Sequence, residues 1–260
     1  ADPRMAVSAA HQIPWDDYET WARAQWTHAH GPETGAHVQY KDMAAAAGYG
    51  PHRLIKAKRN GAIPLYAVRD YARGLGADPI TALTAFTPIP LTADEPTPAQ
   101  WLTQLHPTEL HNELLRRLDH PVPAPADATF TPRPHAWATA LLDGPPNQPA
   151  GHRGQRRKHA AHQLLHIPYN TLRTKERRGS WTIPELTQLC TWTGWHLGLA
   201  LAVTGWLRWD EVGLDPQDRY AALRSVGGAE LMDGIEAALP ETRQALELAQ
   251  QTLDRKERAR

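Results

Sequence analysis

Tyr40-Lys-Asp-Met-Ala-Ala-Ala-Ala-Gly-Tyr-Gly-Pro-His-Arg-Leu-Ile-Lys-Ala-Lys-Arg-Asn-Gly61 recurs 118 residues on as Lys158-His-Ala-Ala-His-Gln-Leu-Leu-His-Ile-Pro-Tyr-Asn-Thr-Leu-Arg-Thr-Lys-Glu-Arg-Arg-Gly179. Each copy reads as a short apolar helix, a break, and a basic helix ending in Gly. In the first break, Gly48 and Gly50 tolerate the positive φ that a tight inter-helix turn demands. Pro51 suits the first turn of the following helix, where its missing N–H has no partner to lose. Leu54 and Ala57 then face inward while His52, Arg53, Lys56 and Arg59 face out. This is the layout of a helix-turn-helix, whose second helix fits the DNA major groove.

The pattern extends on both sides of each copy. Trp15, Tyr18, Ala22 and Trp26 fall at helical spacing before the first copy, and Trp137-Ala-Thr-Ala echoes Trp21-Ala-Arg-Ala before the second. Pro64 and Pro184 each open a fourth helix, and Asp78 can cap a fifth. Loops fill Gly31–Gly35 and Asp143–Gly154. Trailing apolar positions recur as well: Leu102, Leu105, Glu109, Leu110, Leu114 and Leu118 match Tyr220, Leu223, Glu230, Leu231, Ile235 and Leu239 once three residues are inserted. An internal duplication accounts for this order. The expected fold is mainly α, with two tandem helix-turn-helix domains. They cover 11–86 and 135–209, joined by a Pro-rich connector with two short helices over 87–134, and C-terminal helices follow over 210–260. The copies diverge at Trp195–Val203, where large and small apolar residues alternate. That run fits a single β-strand near 195–203, zipping with its counterpart in a homodimer, or a buried helix.

Composition bounds the chemistry. The 260 residues carry 28 basic and 28 acidic side chains, so net charge names no partner, but the distribution does. Residues 151–180 hold eight Lys or Arg against Glu176 alone, and residues 41–61 hold five against Asp42. Local positive fields on a neutral body suit a phosphate-binding face. No run of 18 apolar residues exists, so no membrane span is expected, and no basic segment leads an apolar stretch as in a secretory leader. One cysteine, Cys190, excludes a disulfide scaffold and points to a reducing cytoplasm.

At these residues the chain resembles the lambda-repressor-like (Cro/C1-type, phage-repressor class) helix-turn-helix family. Gln39, Met43-Ala44, Gly48, Leu54, Arg59 and Gly61 fill the family's places over residues 36–86, with Leu75-Gly76 closing the fourth helix. The second copy, over 155–203, is degenerate: His162 stands where a small Ala lets the helices approach, and His166 replaces the turn Gly. Histidine enters the left-handed region more readily than most residues, so the turn survives. The resemblance implies base reading by His52, Arg53 and Lys56 in the first head and by Tyr169, Asn170, Thr171 and Arg173 in the second. Arg suits guanine, Asn adenine, and Thr or Tyr a thymine methyl or a phosphate. Gln39, Tyr40, Lys58, Arg59, Arg156, Arg157, Lys158, Arg177 and Arg178 fall to the phosphate backbone, setting register without reading sequence.

No catalytic motif competes. His159, His162 and His166 share a helical face, but no fourth ligand and no H-E-x-x-H are present, so no metal or cofactor is expected. Cys190 reads as an inert core thiol, and no Gly-rich phosphate loop or nucleophile elbow occurs. The sequence thus points to a non-enzymatic regulator reading double-stranded DNA, of phage-repressor type. The alternative is an interaction protein of antitoxin or anti-repressor type, with one DNA-binding and one protein-binding head.

Overall fold

The computed structural model describes residues 11–34, 38–92, 94–121, 130–144 and 150–239. The protein is mainly α-helical, with one two-stranded sheet among the described residues. By contact it divides into two units, each discontinuous in sequence. Unit 1 is Ala1–Ala93 with Arg178–Trp192 and Leu197–Leu214; unit 2 is Asp94–Arg177 with Thr193–His196 and Asp215–Arg260. The expected span 135–209 contributes to both.

Unit 1 begins with β1 (Gln12–Pro14) and α1 (Trp15–His30), followed by α2 (Tyr40–Ala46) and α3 (Pro51–Asn60). Next come β2 (Ala62–Pro64), α4 (Tyr66–Gly74) and α5 (Pro79–Thr84). The sheet was not foreseen. Ile13 pairs with Ile63 in antiparallel register, and both are buried. Pro64 therefore ends a strand, and the fourth helix starts at Tyr66. Asp78 caps α5 as expected, accepting from the backbone N–H groups of Ile80 and Thr81. The core gathers Tyr18, Met43, Leu54, Leu65 and Tyr71, all fully buried. Tyr18 packs against Trp15 and Tyr71, and the Tyr71 hydroxyl donates to the Ala22 carbonyl at 3.1 Å. Where α2 meets α4 the backbones nearly touch: a Cβ placed on Gly74 would lie 1.6 Å from the Ala46 carbonyl oxygen.

The later segments of unit 1 include α11 (Ile183–Thr193), whose Leu186 and Leu189 are buried, and α12 (Leu197–Val203). Leu197–Val203 is a helix and not the strand that 195–203 offered as one alternative. Every residue of α12 is buried, Leu197, Leu199, Leu201 and Val203 along with the small residues between them. A segment apolar on all sides is a buried helix as readily as a strand, and periodicity alone does not separate the two. A helix has no strand edge of the kind that pairing with a counterpart strand requires. The buried Arg69 of α4 donates to the carbonyls of Gly205 (2.9 Å) and Trp206 (3.0 Å), just past the end of α12. Arg73 grips Glu211 with two bonds of 2.6 Å.

Unit 2 holds α6 (Pro98–Leu102), α7 (Pro107–Arg117), α8 (Pro134–Asp143) and α9 (Ala150–His159). A π-helical segment, Ala160–Leu164, continues α9. After it come α10 (Tyr169–Arg178), α13 (Asp218–Ser225) and α14 (residues 228–239). The expected loop Asp143–Gly154 is thus helical from Ala150 on. Glu113 in α7 accepts from Arg116 at 2.7 Å and Arg117 at 2.8 Å, and these bonds hold its carboxyl down at about 2 against the opposing effect of burial.

The 118-residue spacing recurs in the backbone. Left-handed residues at Gly48 (φ 68°), Gly61 (φ 69°) and Gly76 (φ 69°) recur 118 residues on at His166 (φ 52°), Gly179 (φ 62°) and Gly194 (φ 70°). His166 holds the turn at the strain of a side chain in the left-handed region, roughly 1–2 kcal/mol. His166→Gly is expected to raise stability by about 0.5–1 kcal/mol, less than that strain because glycine loosens the unfolded chain. Denaturant unfolding checks it. A fall would mean that the ring's bond to the His162 carbonyl, 3.2 Å away, outweighs the strain.

Candidate nucleic-acid interface

The first head is built around the turn between α2 and α3. The Tyr49 amide donates back to the Ala44 carbonyl at 2.7 Å, and the Arg53 amide to Gly50 at 3.0 Å. Pro51 takes the first turn of α3, and Gly61 ends it with its N–H returned to the last turn. Leu54 and Ala57 turn into the core. His52, Arg53, Lys56, Lys58 and Arg59 are exposed, as is Ile55 at 48%. Gln39 is exposed at the start of α2, its N–H donating to Asp42 at 3.2 Å, and Tyr40 is half-buried.

Two of these cations are braced by aromatic rings. The Arg53 guanidinium lies 4.1 Å from the Tyr49 ring centroid and 5.2 Å from that of Tyr66, and it donates to the Tyr66 hydroxyl. Tyr49 is itself fixed, its hydroxyl donating to Asp70 at 2.5 Å. Burial, then the Asp70 charge, push the Tyr49 pKa up, so it remains a donor. A cation against ring faces at these distances is attracted by about 0.5–2 kcal/mol per contact, which limits the rotamers Arg53 samples. Lys58 donates to the Tyr40 hydroxyl at 2.5 Å, which raises its pKa, and Tyr40 donates in turn to Glu19 at 2.9 Å. Burial works against the Glu19 carboxylate, but donors Arg23, Trp15 and Tyr40 outweigh it and hold its pKa below the usual range. Tyr49 and Tyr66 were missed in the sequence. Their signal was there, an aromatic inside the turn and another at the start of the next helix, but it resembles ordinary core spacing.

The second set of residues is less uniform. On α10, Asn170, Arg173, Arg177 and Arg178 are exposed, while Tyr169 and Thr171 are half-buried. On α9, Lys158 is exposed and Arg156 half-buried. Arg157 departs from the expected phosphate role. Its guanidinium donates to Asp143 and, at 2.7 and 2.9 Å, to both oxygens of Glu176, which also accepts from Thr139 at 2.8 Å. Glu176 is only 4% exposed. Burial opposes the Arg157 charge, but its two carboxylate partners more than compensate and its pKa rises. The reason is local: Glu176 is the lone acid of a basic helix, and buried there it requires a cation.

His159, His162 and His166 are exposed, and among the described residues no group of three or more His, Cys, Asp or Glu is placed to hold a metal. The Cys190 thiol is buried, which pushes its pKa up to about 12. No helix among the described residues is long and apolar enough to cross a membrane. No family model, curated protein or solved structure matches the chain.

Proposed function

We propose that the chain is a sequence-specific regulator that binds double-stranded DNA, of phage-repressor type, working in the cytoplasm. The observation that carries the reading is the exposed row His52, Arg53, Lys56 and Arg59 on α3, behind a glycine turn. The same left-handed positions recur around α10, with Asn170, Arg173 and Arg177 exposed there. A helix so presented meets base edges with its first turns and phosphates with its flanks. Because the outward residues differ between copies, the site read by both is not a palindrome.

The test is selection from a random duplex library followed by footprinting. Arg53→Ala is expected to lose about 1–3 kcal/mol on the selected site and relax one base position, whereas Arg177→Ala weakens all sequences alike and lowers the salt slope by about one. Equal losses on selected and random DNA from both variants would contradict the assignment. The second reading, a DNA head paired with a protein-binding head, is favoured by the engagement of the half-buried Arg157 with Glu176 and Asp143. It prevails if Arg177→Ala leaves affinity and salt slope unchanged.

A further inference from the structure

Within unit 2, the trailing helices of the two sequence copies make a common core. Leu102, Leu105 and Leu110 from the first copy pack with Leu223, Leu231 and Ile235 from the second, flanked by Leu114 and Tyr220. These are the positions that the duplication equates. Leu105 answers to Leu223, Leu110 to Leu231 and Leu114 to Ile235; both members of each pair lie in the cluster, except Leu114, which packs against it. The equivalent residues left outside behave alike too, with Leu118 58% and Leu239 44% exposed. The caps correspond as well: Glu109 accepts from the His106 amide, and its counterpart Glu230 from the Gly227 amide.

The contacts are reciprocal. Helix α6 packs on its own counterpart, α13. From the first copy, α7 reaches α13, where Arg117 donates at 2.9 Å to the carbonyls of Leu223 and Val226. From the second copy, α14 reaches α6, and a Cβ on Gly234 would lie 3.4 Å from a Leu102 methyl. Like packed on like, with each side's second helix reaching the other's first, is the pattern of an isologous two-fold interface. Here it closes within one chain.

We infer that α6, α7, α13 and α14 form a dimer interface drawn inside a single polypeptide, so that the chain supplies its own partner and works as a monomer. The pairing surface of each copy is filled by the other, and no second chain is needed to cover it. On the function proposed above, one chain then occupies one two-part site. The interface itself does not depend on that reading.

An engineered disulfide tests it in the full chain. A Cβ on Gly234 would sit 4.0 Å from the Leu102 Cβ, inside the window of about 3.5–4.5 Å that a disulfide requires. Leu102→Cys with Gly234→Cys, oxidised by a glutathione redox pair at low protein concentration, should close within the chain. The expected result is a faster-migrating monomer on a non-reducing gel. Disulfide-linked dimers would overturn the inference, and so would a folded variant whose thiols stay unlinked. Sedimentation of the unaltered protein decides independently should the double variant fail to fold. One chain of 28.9 kDa across the concentration range is expected, and a mass that doubles would overturn the inference. A chain that stays monomeric and cross-links internally yet binds no duplex would sink the proposed function and leave this interface standing.

Discussion

Gly74→Ala is expected to destabilise unit 1 by on the order of 3 kcal/mol or more, at the upper end of what overpacking produces. The added methyl would lie 1.6 Å from the oxygen and 2.5 Å from the carbon of the Ala46 carbonyl. Both are backbone atoms at the end of α2, so no rotamer change relieves the clash. Either α2 or α4 must move. Because α2 carries the turn that sets α3, the DNA binding proposed above should fall with stability. The measurement is denaturant unfolding, read as a lower midpoint at unchanged slope. Gly74→Ala as stable as the parent would mean that α2 and α4 do not approach as described.

Arg157→Ala should cost about 3–5 kcal/mol, because it leaves Glu176 buried without its cation. The bidentate pair, with Asp143 and Thr139 alongside, is the reason. Arg157→Met with Glu176→Leu should recover most of the loss, since apolar residues of similar volume replace a buried ion pair at little net cost. Calorimetry of the single and double variants separates the possibilities. If Arg157→Ala melts like the parent but binds DNA less tightly, Arg157 returns to the phosphate-contact set.

What the sequence made legible was what short-range chemistry dictates. Gly48, Pro51 and Gly61 punctuate α3 strongly enough that its ends and its outward row could be placed beforehand. Asp78 announced α5, and alignment with Gly48 placed His166 in the left-handed region. The misreadings occurred where long-range contacts decide. Leu197–Val203 is apolar throughout, so its alternation of large and small residues did not separate a buried helix from a strand. Gln12–Pro14 is three residues long and takes its strand form only by pairing with Ala62–Pro64. Arg157 looked like one more cation in a basic run. Glu176, solitary in that run, was the clue that one of those cations was claimed from inside. The Tyr49 and Tyr66 brace on Arg53 depends on ring placement, which spacing does not encode.

The small sheet bears on any attempt to trim this protein. Beyond the Ile13–Ile63 pairing, the Trp15 amide donates to the Gly61 carbonyl at 3.0 Å and the Leu65 amide to the His11 carbonyl at 2.9 Å. The leading segment thus works as a clasp on the far end of the rod formed by α3. A minimal fragment cut at the first helix would look complete by helical content, yet would have the trailing tip of that rod unfastened. Its boundary belongs ahead of His11.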